Sequence, residues 1–386
     1  MSGALAVIDG GSRVTRLILQ DFRSYSSLDL SVSKRLVALA GENGAGKTNL
    51  IEALSLFTPG RGLRRAEHGD MLRHGAETFA VSVTLDGEGG EHRLGTGLSD
   101  AGTGPRAARA CRIDGAPIGS AAAFAEFCRM VWLTPDLDGL FRGAPGERRR
   151  FLDRLVLAVD ARHGARVNSL DRVLRSRNRL LDEGTNGAWL DAVEKELAEL
   201  GIAVSAARAE TVARLDAELF GNRDEASPFP YARLTLTGEF DALLATSPAI
   251  DAEDAYRAAL RDGRARDAAA GRTLFGPQAS DLAVRHGPKD LPAETCSTGE
   301  QKALLLGLVL AHARLVRAMS GVAPTVLLDE VAAHLDPRRR AALFDALEAL
   351  GGQVWMTGAD PTLFADLGER ADRFLVTPGR VDRFAA

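Results

Sequence analysis

Gly41-Glu42-Asn43-Gly44-Ala45-Gly46-Lys47-Thr48 stands between a short apolar run, Arg35-Leu-Val-Ala-Leu-Ala40, and a segment, Asn49-Leu-Ile-Glu-Ala-Leu-Ser-Leu-Phe57, whose apolar residues fall at helical spacing. The order strand, glycine-rich loop, helix predicts a phosphate-binding loop. Three glycines let backbone N–H groups turn inward as an anion nest, and a helix beginning near Thr48 adds the positive end of its dipole. In such a loop Lys47 reaches the β- and γ-phosphates and the Thr48 hydroxyl holds Mg²⁺. The alternative is a glycine-rich turn with an incidental lysine. Basic usage argues against it, since only five of the 48 basic residues are lysine. A chain that otherwise chooses arginine keeps lysine at 47, where a compact point charge suits better than a planar fork.

The rest of the chain is long enough, at 386 residues with 45% apolar content, for two domains or for one large α/β domain with an inserted lobe. A formal charge of −4 and a pI near 6.0 neither demand nor exclude a nucleic-acid partner, because a basic face can sit on an acidic whole. Cys111, Cys128 and Cys296 show no CxxC or Cys/His spacing, so reduced thiols, no disulfide, no zinc and a cytoplasmic setting are expected. The N-terminus lacks a charged stretch followed by an apolar one. The apolar run at 303–311 is too short to span a bilayer, and no membrane association is expected.

Residues 1–13 read as a flexible N-terminus. Val14–Gln20 and Leu28–Val32 alternate like paired strands, and Phe79–Leu85 with Glu91–Leu94 continue the pattern as a β meander, an antiparallel flank. From about 145 to 222 the pattern turns helical, suggesting two long helices separated near 182–187, as in an inserted arm. Strand character returns at 228–240 and helix at 251–271.

The C-terminal third supplies what a phosphate loop needs beside it. Thr325-Val-Leu-Leu-Asp329-Glu330 is an apolar strand ending in two carboxylates, a Walker B pattern. Asp329 would hold the magnesium ion and Glu330 would polarise the attacking water as general base, so Lys47, Asp329 and Glu330 are the candidate catalytic residues, with Thr48 and Asp329 as metal ligands. Ser297-Thr-Gly299-Glu-Gln-Lys302 precedes the helix-forming run Ala303–Ala313. Locally it is a capping box, and a helix start with an exposed serine and glycine also offers free N–H groups to a γ-phosphate.

Phosphate loop, long insertion, Ser-x-Gly-Glu signature, Walker B and then Leu335-Asp336 together resemble the ABC-type ATPase head. The resemblance implies ATP with Mg²⁺ and an ATP-dependent homodimer, in which the signature around Ser297 and Gly299 of one subunit closes over the nucleotide of the other and Asp336 lies in the loop between sites. The strand Gln353–Thr357 matches the one that usually ends in a switch histidine; Thr357 stands there instead.

Within that class the chain from about residue 14 onward resembles the RecF family of bacterial DNA replication and repair proteins. The segments that carry it are Leu19-Gln-Asp-Phe-Arg23-Ser-Tyr25, Pro135-Asp-Leu137, Gly143–Asp153 with Arg148-Arg149-Arg150, Arg177–Leu181, Gly271–Pro277 and Ser297–Lys302. Gln278 and the Asp329-Glu330 pair depart from the family pattern. The resemblance adds Arg23 to the nucleotide-binding set, which otherwise comprises Gly41, Glu42, Asn43, Gly44, Ala45, Gly46, Lys47, Thr48, Ser297, Gly299 and Asp336. It implies an ATP-dependent clamp that binds double-stranded DNA at gaps or junctions, hydrolyses ATP slowly, and works with RecO and RecR to place recombinase.

The expected architecture is α/β: an ABC-type P-loop ATPase head over 14–128 and 271–386, with an antiparallel β flank and an inserted, mainly helical arm lobe over 129–270. Support for DNA binding from the residues themselves is local. Eleven arginines face four acids between 142 and 179, and Arg148, Arg149 and Arg150 are the first candidates for phosphate contact. The same arginines could instead pair with the arm's own acids. An SMC-like structural ATPase, or another ABC-type ATPase not acting at gaps, is the alternative; the arm holds no sustained heptads.

Overall fold

The computed structural model describes residues 11–87, 89–98, 109–185, 187–224, 227–331 and 335–384. Two compact units result. The first holds the described residues up to Asp138, 227–229 and those from Leu305 onward; the second holds Gly139–Asp224 and Pro230–Leu304. Most of the stretch expected to be a flexible N-terminus, residues 1–10, lies outside the described residues, and Arg13 already opens a strand.

In the first unit, β1 (Arg13–Phe22) and β2 (Tyr25–Ser31) pair antiparallel, β3 (Leu36–Ala40) follows, and α1 (Lys47–Ser55) starts after the phosphate loop. β4 (Phe79–Gly87), β5 (Gly90–Leu98), β6 (Arg109–Ile113) and β7 (Ala116–Ile118) join the first two in an antiparallel sheet ordered β2-β1-β4-β5-β6-β7. β4 buries Phe79, Val81, Val83 and Leu85 and turns the residues between them outward, the alternation of a sheet with one covered face. β8 (Met130–Leu133) is buried at every residue.

The second unit opens with α2 (Pro145–Val159), α3 (His163–Asp182) and α4 (Ala188–Gly221). The break between α3 and α4 falls at the expected place, where Gly184 and Gly187 take positive φ. The break between α2 and α3 was not legible: Asp160-Ala-Arg162 between them holds no glycine or proline, and it forms because the Asp160 carboxylate accepts the Arg162 N–H (3.0 Å) and pairs with Arg166, offering the backbone an alternative to the helix. β9 (Ala232–Thr237), α5 (Glu239–Thr246), α6 (Ala249–Asp262), α7 (Arg264–Ala270), β10 (Asp281–His286) and β11 (Leu291–Pro292) complete the unit. β10 pairs antiparallel with β9 from Asp281↔Thr237 to His286↔Ala232, and this pairing holds 271–304 in the second unit, not in the ATPase head where 271 onward was expected. The expected boundary at 129 also moves, to 139, because β8 is a strand of the first unit's sheet.

The division between units falls within α8 (Thr298–Ser320). By length and composition this helix could cross a membrane, but 67% of its most apolar window is buried inside the protein, as in a core helix. β12 (Thr325–Leu328), α9 (Pro337–Ala349), β13 (Val354–Gly358), β14 (Ala371–Thr377) and β15 (Arg380–Arg383) return to the first unit. A second sheet results, ordered β15-β14-β3-β13-β12-β8, parallel from β14 through β8. Its inner strands β3, β12 and β13 are buried throughout, which explains their unbroken apolar runs. A buried apolar cluster joins the two sheets and α1: Leu17 and Leu19 of β1, Leu50 and Leu54 of α1, Val83 of β4, Leu327 of β12 and Trp355 of β13 belong to it. The Gln353 amide staples the two sheets, accepting from the Val14 N–H (2.9 Å) and donating to the Val14 carbonyl (2.8 Å).

The second unit is knit by buried charge. Arg177 has no exposed surface; it donates to Glu194 (3.0 Å), Asp267 (2.7 Å), the Thr273 hydroxyl (2.8 Å) and the Leu260 carbonyl (2.7 Å). Arg208 grips Asp153 with two bonds of 2.8 Å, and His163 Nε2 meets the same carboxylate at 2.8 Å. Breaking such a pair from one side leaves an uncompensated buried charge. Arg177→Met is therefore expected to destabilise the protein by about 3–5 kcal/mol, read as a lower urea midpoint in circular dichroism; an unchanged midpoint would contradict the network's role.

Candidate functional site

β3 delivers the chain to Gly41, whose N–H donates to the Gly358 carbonyl at the end of β13 (3.1 Å). A Cβ at Gly41 would sit 2.2 Å from the Val376 carbonyl oxygen, so only glycine allows this approach. Gly44 (φ 83°) and Gly46 (φ 109°) supply the left-handed residues that curl the loop. The Tyr25 hydroxyl donates to the Gly46 carbonyl (3.2 Å) and would lie 2.8 Å from a Cβ on Gly46. Glu42, Asn43 and Gly44 are exposed, Ala45 is buried, and α1 has neither a side-chain cap nor an acid in its first turn. Its leading N–H groups are thus directed at the loop's concavity, an arrangement suited to an anion. Lys47 is 4% exposed; Nζ donates to the Gly41 carbonyl (2.7 Å) and the Glu42 carbonyl (2.9 Å) and lies 3.7 Å from Glu330 Oε1.

The Walker B carboxylates meet this loop. Asp329 follows β12, its N–H donates to the Leu133 carbonyl (2.9 Å), and its side chain is buried. The Thr48 hydroxyl lies 3.0 and 3.1 Å from the two Asp329 oxygens, and the Thr357 hydroxyl donates to Oδ1 at 2.7 Å. Burial raises the Asp329 carboxyl above its ordinary range; the bonds from Thr357 and Thr48 oppose that shift, the neighbouring Glu330 charge reinforces it, and the Arg64 guanidinium opposes it. Glu330 sits in the left-handed region (φ 54°) and its N–H donates to Thr357 Oγ1 (2.9 Å). Thr134, which follows β8, is buried with a hydroxyl that has no hydrogen-bond partner among the described residues. Hydroxyl and carboxylate oxygens converging in this way are hard donors that fit Mg²⁺, and the glycine cradle with Lys47 fits a nucleotide's phosphates. Thr134 escapes the sequence reading because it belongs to no motif and the strand before it reads as part of the arm; Tyr25 stands in the Leu19–Tyr25 segment that carries the family resemblance but is not among the expected site residues.

The structure gives several expected site residues internal partners. Arg23 Nε and Nη2 grip Glu52 (2.9 and 2.6 Å) and Nη1 donates to the Asp70 carbonyl (2.6 Å); Arg64 shares Glu52 at 3.0 Å. Arg23, expected at the nucleotide, is held here by a buried carboxylate on α1. Asp336 is the N-cap of α9, accepting the Arg339 N–H at 2.9 Å. Ser297 and Glu300 form the expected capping box: Glu300 Oε2 accepts from the Ser297 N–H (3.0 Å) and hydroxyl (2.8 Å), and Lys289 pairs with the other carboxylate oxygen. Gly299 is exposed, with open space around it.

Of the three arginines expected to meet DNA, Arg148 is bound to Asp281 by two bonds of 2.7 Å and also donates to the Gly143 carbonyl (2.6 Å). Arg149 donates to the Ser280 carbonyl (2.7 Å). Both are anchors of the second unit, because β10 brings Ser280 and Asp281 against α2, a pairing no local pattern announces. Arg150 has a side chain 58% exposed and lies 4.0 Å from Glu147.

A family model described as the RecF/RecN/SMC N terminal domain matches residues 13–375. "DNA replication and repair protein RecF" of Rhizobium etli (strain CIAT 652) is 52% identical over 370 residues, covering 95% of this chain and 98% of the relative. The protein of the same name from Agrobacterium fabrum (strain C58 / ATCC 33970) is 52% identical over 371 residues, with 95% and 98% covered. Among solved structures, "Structure of the recombination mediator protein RecF-ATPrS in RecFOR pathway" superposes with a TM-score of 0.86 at 20% identity, covering 97% of this chain and 99% of that one. An Smc head domain from Pyrococcus furiosus gives 0.53 at 17% identity, covering 97% and 96%. A phosphate loop facing Asp329 and Glu330 on a head-type fold, with near full-length likeness to these repair proteins, makes the conclusion plain: the chain belongs to the RecF family of DNA replication and repair proteins.

Proposed function

We propose that this protein is an ATP-gated clamp on double-stranded DNA, acting in the cytoplasm beside single-strand gaps or junctions, dimerising on ATP and released by slow hydrolysis. The observation that carries the reading is the meeting of Thr48, Asp329 and Glu330 at the mouth of the phosphate loop. The repair role in the relatives' names, and the RecFOR pathway named for the superposed structure, support action in recombinational repair with RecO and RecR as partners.

When bound, ATP supplies the phosphoryl group and Mg²⁺ the charge that offsets it. Lys47 exchanges the Gly41 and Glu42 carbonyls for phosphate oxygens, and the leading N–H groups of α1 orient the same anion. Thr48 and Asp329 would hold the metal. Glu330 accepts a proton from the attacking water on its carboxylate. Ser297 and Gly299 of a second copy close the site, and Asp336 lies in the loop between the two sites of that dimer.

For the duplex, Arg150 is the exposed member of the α2 trio, and α3 offers Arg175 and Arg179 beside Arg172, which pairs with Glu196 at the surface (3.2 Å); all three are exposed and spaced to share one face. That stripe suits a phosphate backbone.

Sedimentation with a gapped duplex tests the reading. Wild type is expected to dimerise and bind DNA only with ATP and Mg²⁺. Lys47→Ala should lose ATP binding while keeping its fold, and Ser297→Arg should bind ATP yet stay monomeric. A wild type that stays monomeric with ATP and ignores the duplex overturns the clamp. Glu330→Gln should lengthen DNA residence by at least about tenfold, the effect of removing a general base; an unchanged residence time means hydrolysis does not drive release. Replacing Arg175 and Arg179 together by Ala should weaken duplex binding for all sequences and reduce the salt slope by about 2. An unaltered slope would move the interface elsewhere.

A further inference from the structure

We propose that Thr357 is a positioning residue that fixes Glu330 to the Asp329 carboxylate, so that metal ligand and general base are held as one unit; this rests on the ATPase reading above. A threonine hydroxyl has one proton and two lone pairs. Thr357 gives its proton to Asp329 Oδ1 (2.7 Å) and presents a lone pair to the Glu330 N–H (2.9 Å). It is 1% exposed, with both bonds directed at neighbours on β12's end, so it holds no free donor for a phosphate.

Glu330 needs such a hold. A glutamate with φ 54° occupies a left-handed conformation that crowds its Cβ against the following carbonyl oxygen. A single acceptor on its N–H, supplied by a side chain that cannot move, fixes where the following carboxylate begins. That carboxylate is the one 3.7 Å from Lys47 Nζ.

The Thr357 strand is also tied to the loop itself. Gly358, the next residue, accepts the Gly41 N–H (3.1 Å), and β13 lies between β3 and β12 in register, Thr357 opposite Leu39 and Met356 opposite Leu328. The end of β13 therefore bonds to the first residue of the phosphate loop on one side and to both Walker B acids on the other. Where a histidine switch stands in similar heads, this chain has a hydroxyl that reads the acids and not the nucleotide.

The test compares wild type, Thr357→Val, Thr357→Ala and Thr357→Ser. Steady-state hydrolysis, binding of a non-hydrolysable ATP analogue, and Mn²⁺ affinity by electron paramagnetic resonance in the presence of that analogue are measured on the full chain. The valine variant is nearly isosteric, and alanine guards against misfolding of valine. Both are expected to lose at least about tenfold in kcat, the effect of losing the two hydrogen bonds that Thr357 makes beside the reacting group, with KM for ATP within about twofold of wild type. Mn²⁺ affinity should fall severalfold in both, and serine should restore kcat and metal affinity. Valine and alanine variants as fast as an active wild type overturn this inference alone. A loss of analogue binding parallel to the loss of kcat overturns it too, because the role would then be merely structural. A wild type that does not hydrolyse ATP sinks the ATPase reading and this inference together.

Discussion

Asp329 is a carboxylate taken out of water at the end of a buried strand, and the geometry around it follows from the cost of that burial. An isolated buried charge costs several kcal/mol, and the raised carboxyl range of Asp329 records the part of that cost its partners do not cancel. Two hydroxyls on different segments oppose the shift: Thr48 from the start of α1 and Thr357 from the end of β13. Neither could reach it under another strand order. Because β13 lies between β3 and β12, and all three run parallel, the loop after β3 and the acids after β12 emerge at the same edge, one strand apart. The carboxyl edge of a parallel sheet is where ligands of such folds gather, and here the reason is visible in named bonds.

The second unit applies the opposite solution to the same problem. Buried Glu194 and Asp267 and the half-buried Asp153 and Asp281 each face an arginine, and Asp153 and Glu194 a second basic side chain as well, so their charge is offset inside the unit. Burial alone pushes the Asp153 carboxyl up, yet hydrogen bonds from His163 and Arg208 carry it below the ordinary range. An arginine-rich composition is therefore in part a way of building a polar core. The local excess of base between 142 and 179 therefore overstates the charge that stays at the surface, since Arg148, Arg149, Arg166 and Arg177 are all engaged inside the unit.

What was legible in the sequence was local. The phosphate loop, the Walker B strand and the capping box each announce themselves within eight residues, because their physics is a turn, a buried strand or a helix start. The alternating strands β1, β2, β4 and β5 were legible for the same reason, since side chains repeat every two residues. What was not legible depended on partners distant in the chain. Arg148 and Arg149 read as surface base until β10 brings Asp281 and Ser280 to them; the grip of Glu52 on Arg23 is likewise a pairing that no local pattern announces. The helix break at Asp160 was hidden because a side chain, and not glycine or proline, makes it. The arm's limits shifted for a related reason, as β9–β10 pairing and β8's place in the parallel sheet are decisions of tertiary structure.

The signature segment shows how a local device constrains a proposed contact with a second copy. The Ser297 hydroxyl gives its single proton to Glu300, and Glu300 is held down to about 2 by the hydrogen bond from Lys289 first and those from Ser297 second. A carboxyl so far below its ordinary range stays ionised throughout neutral conditions and keeps the serine engaged. The donors that the box leaves available are backbone N–H groups of the first turn, at Thr298 and Gly299, which no preceding carbonyl of the helix can accept. Gly299 has open space where a side chain would stand, so a phosphate could approach those groups closely. If the dimer forms as proposed, the glycine and the helix dipole, more than the serine hydroxyl, carry the attraction, and the serine's part is to hold the first turn open in the shape an anion requires.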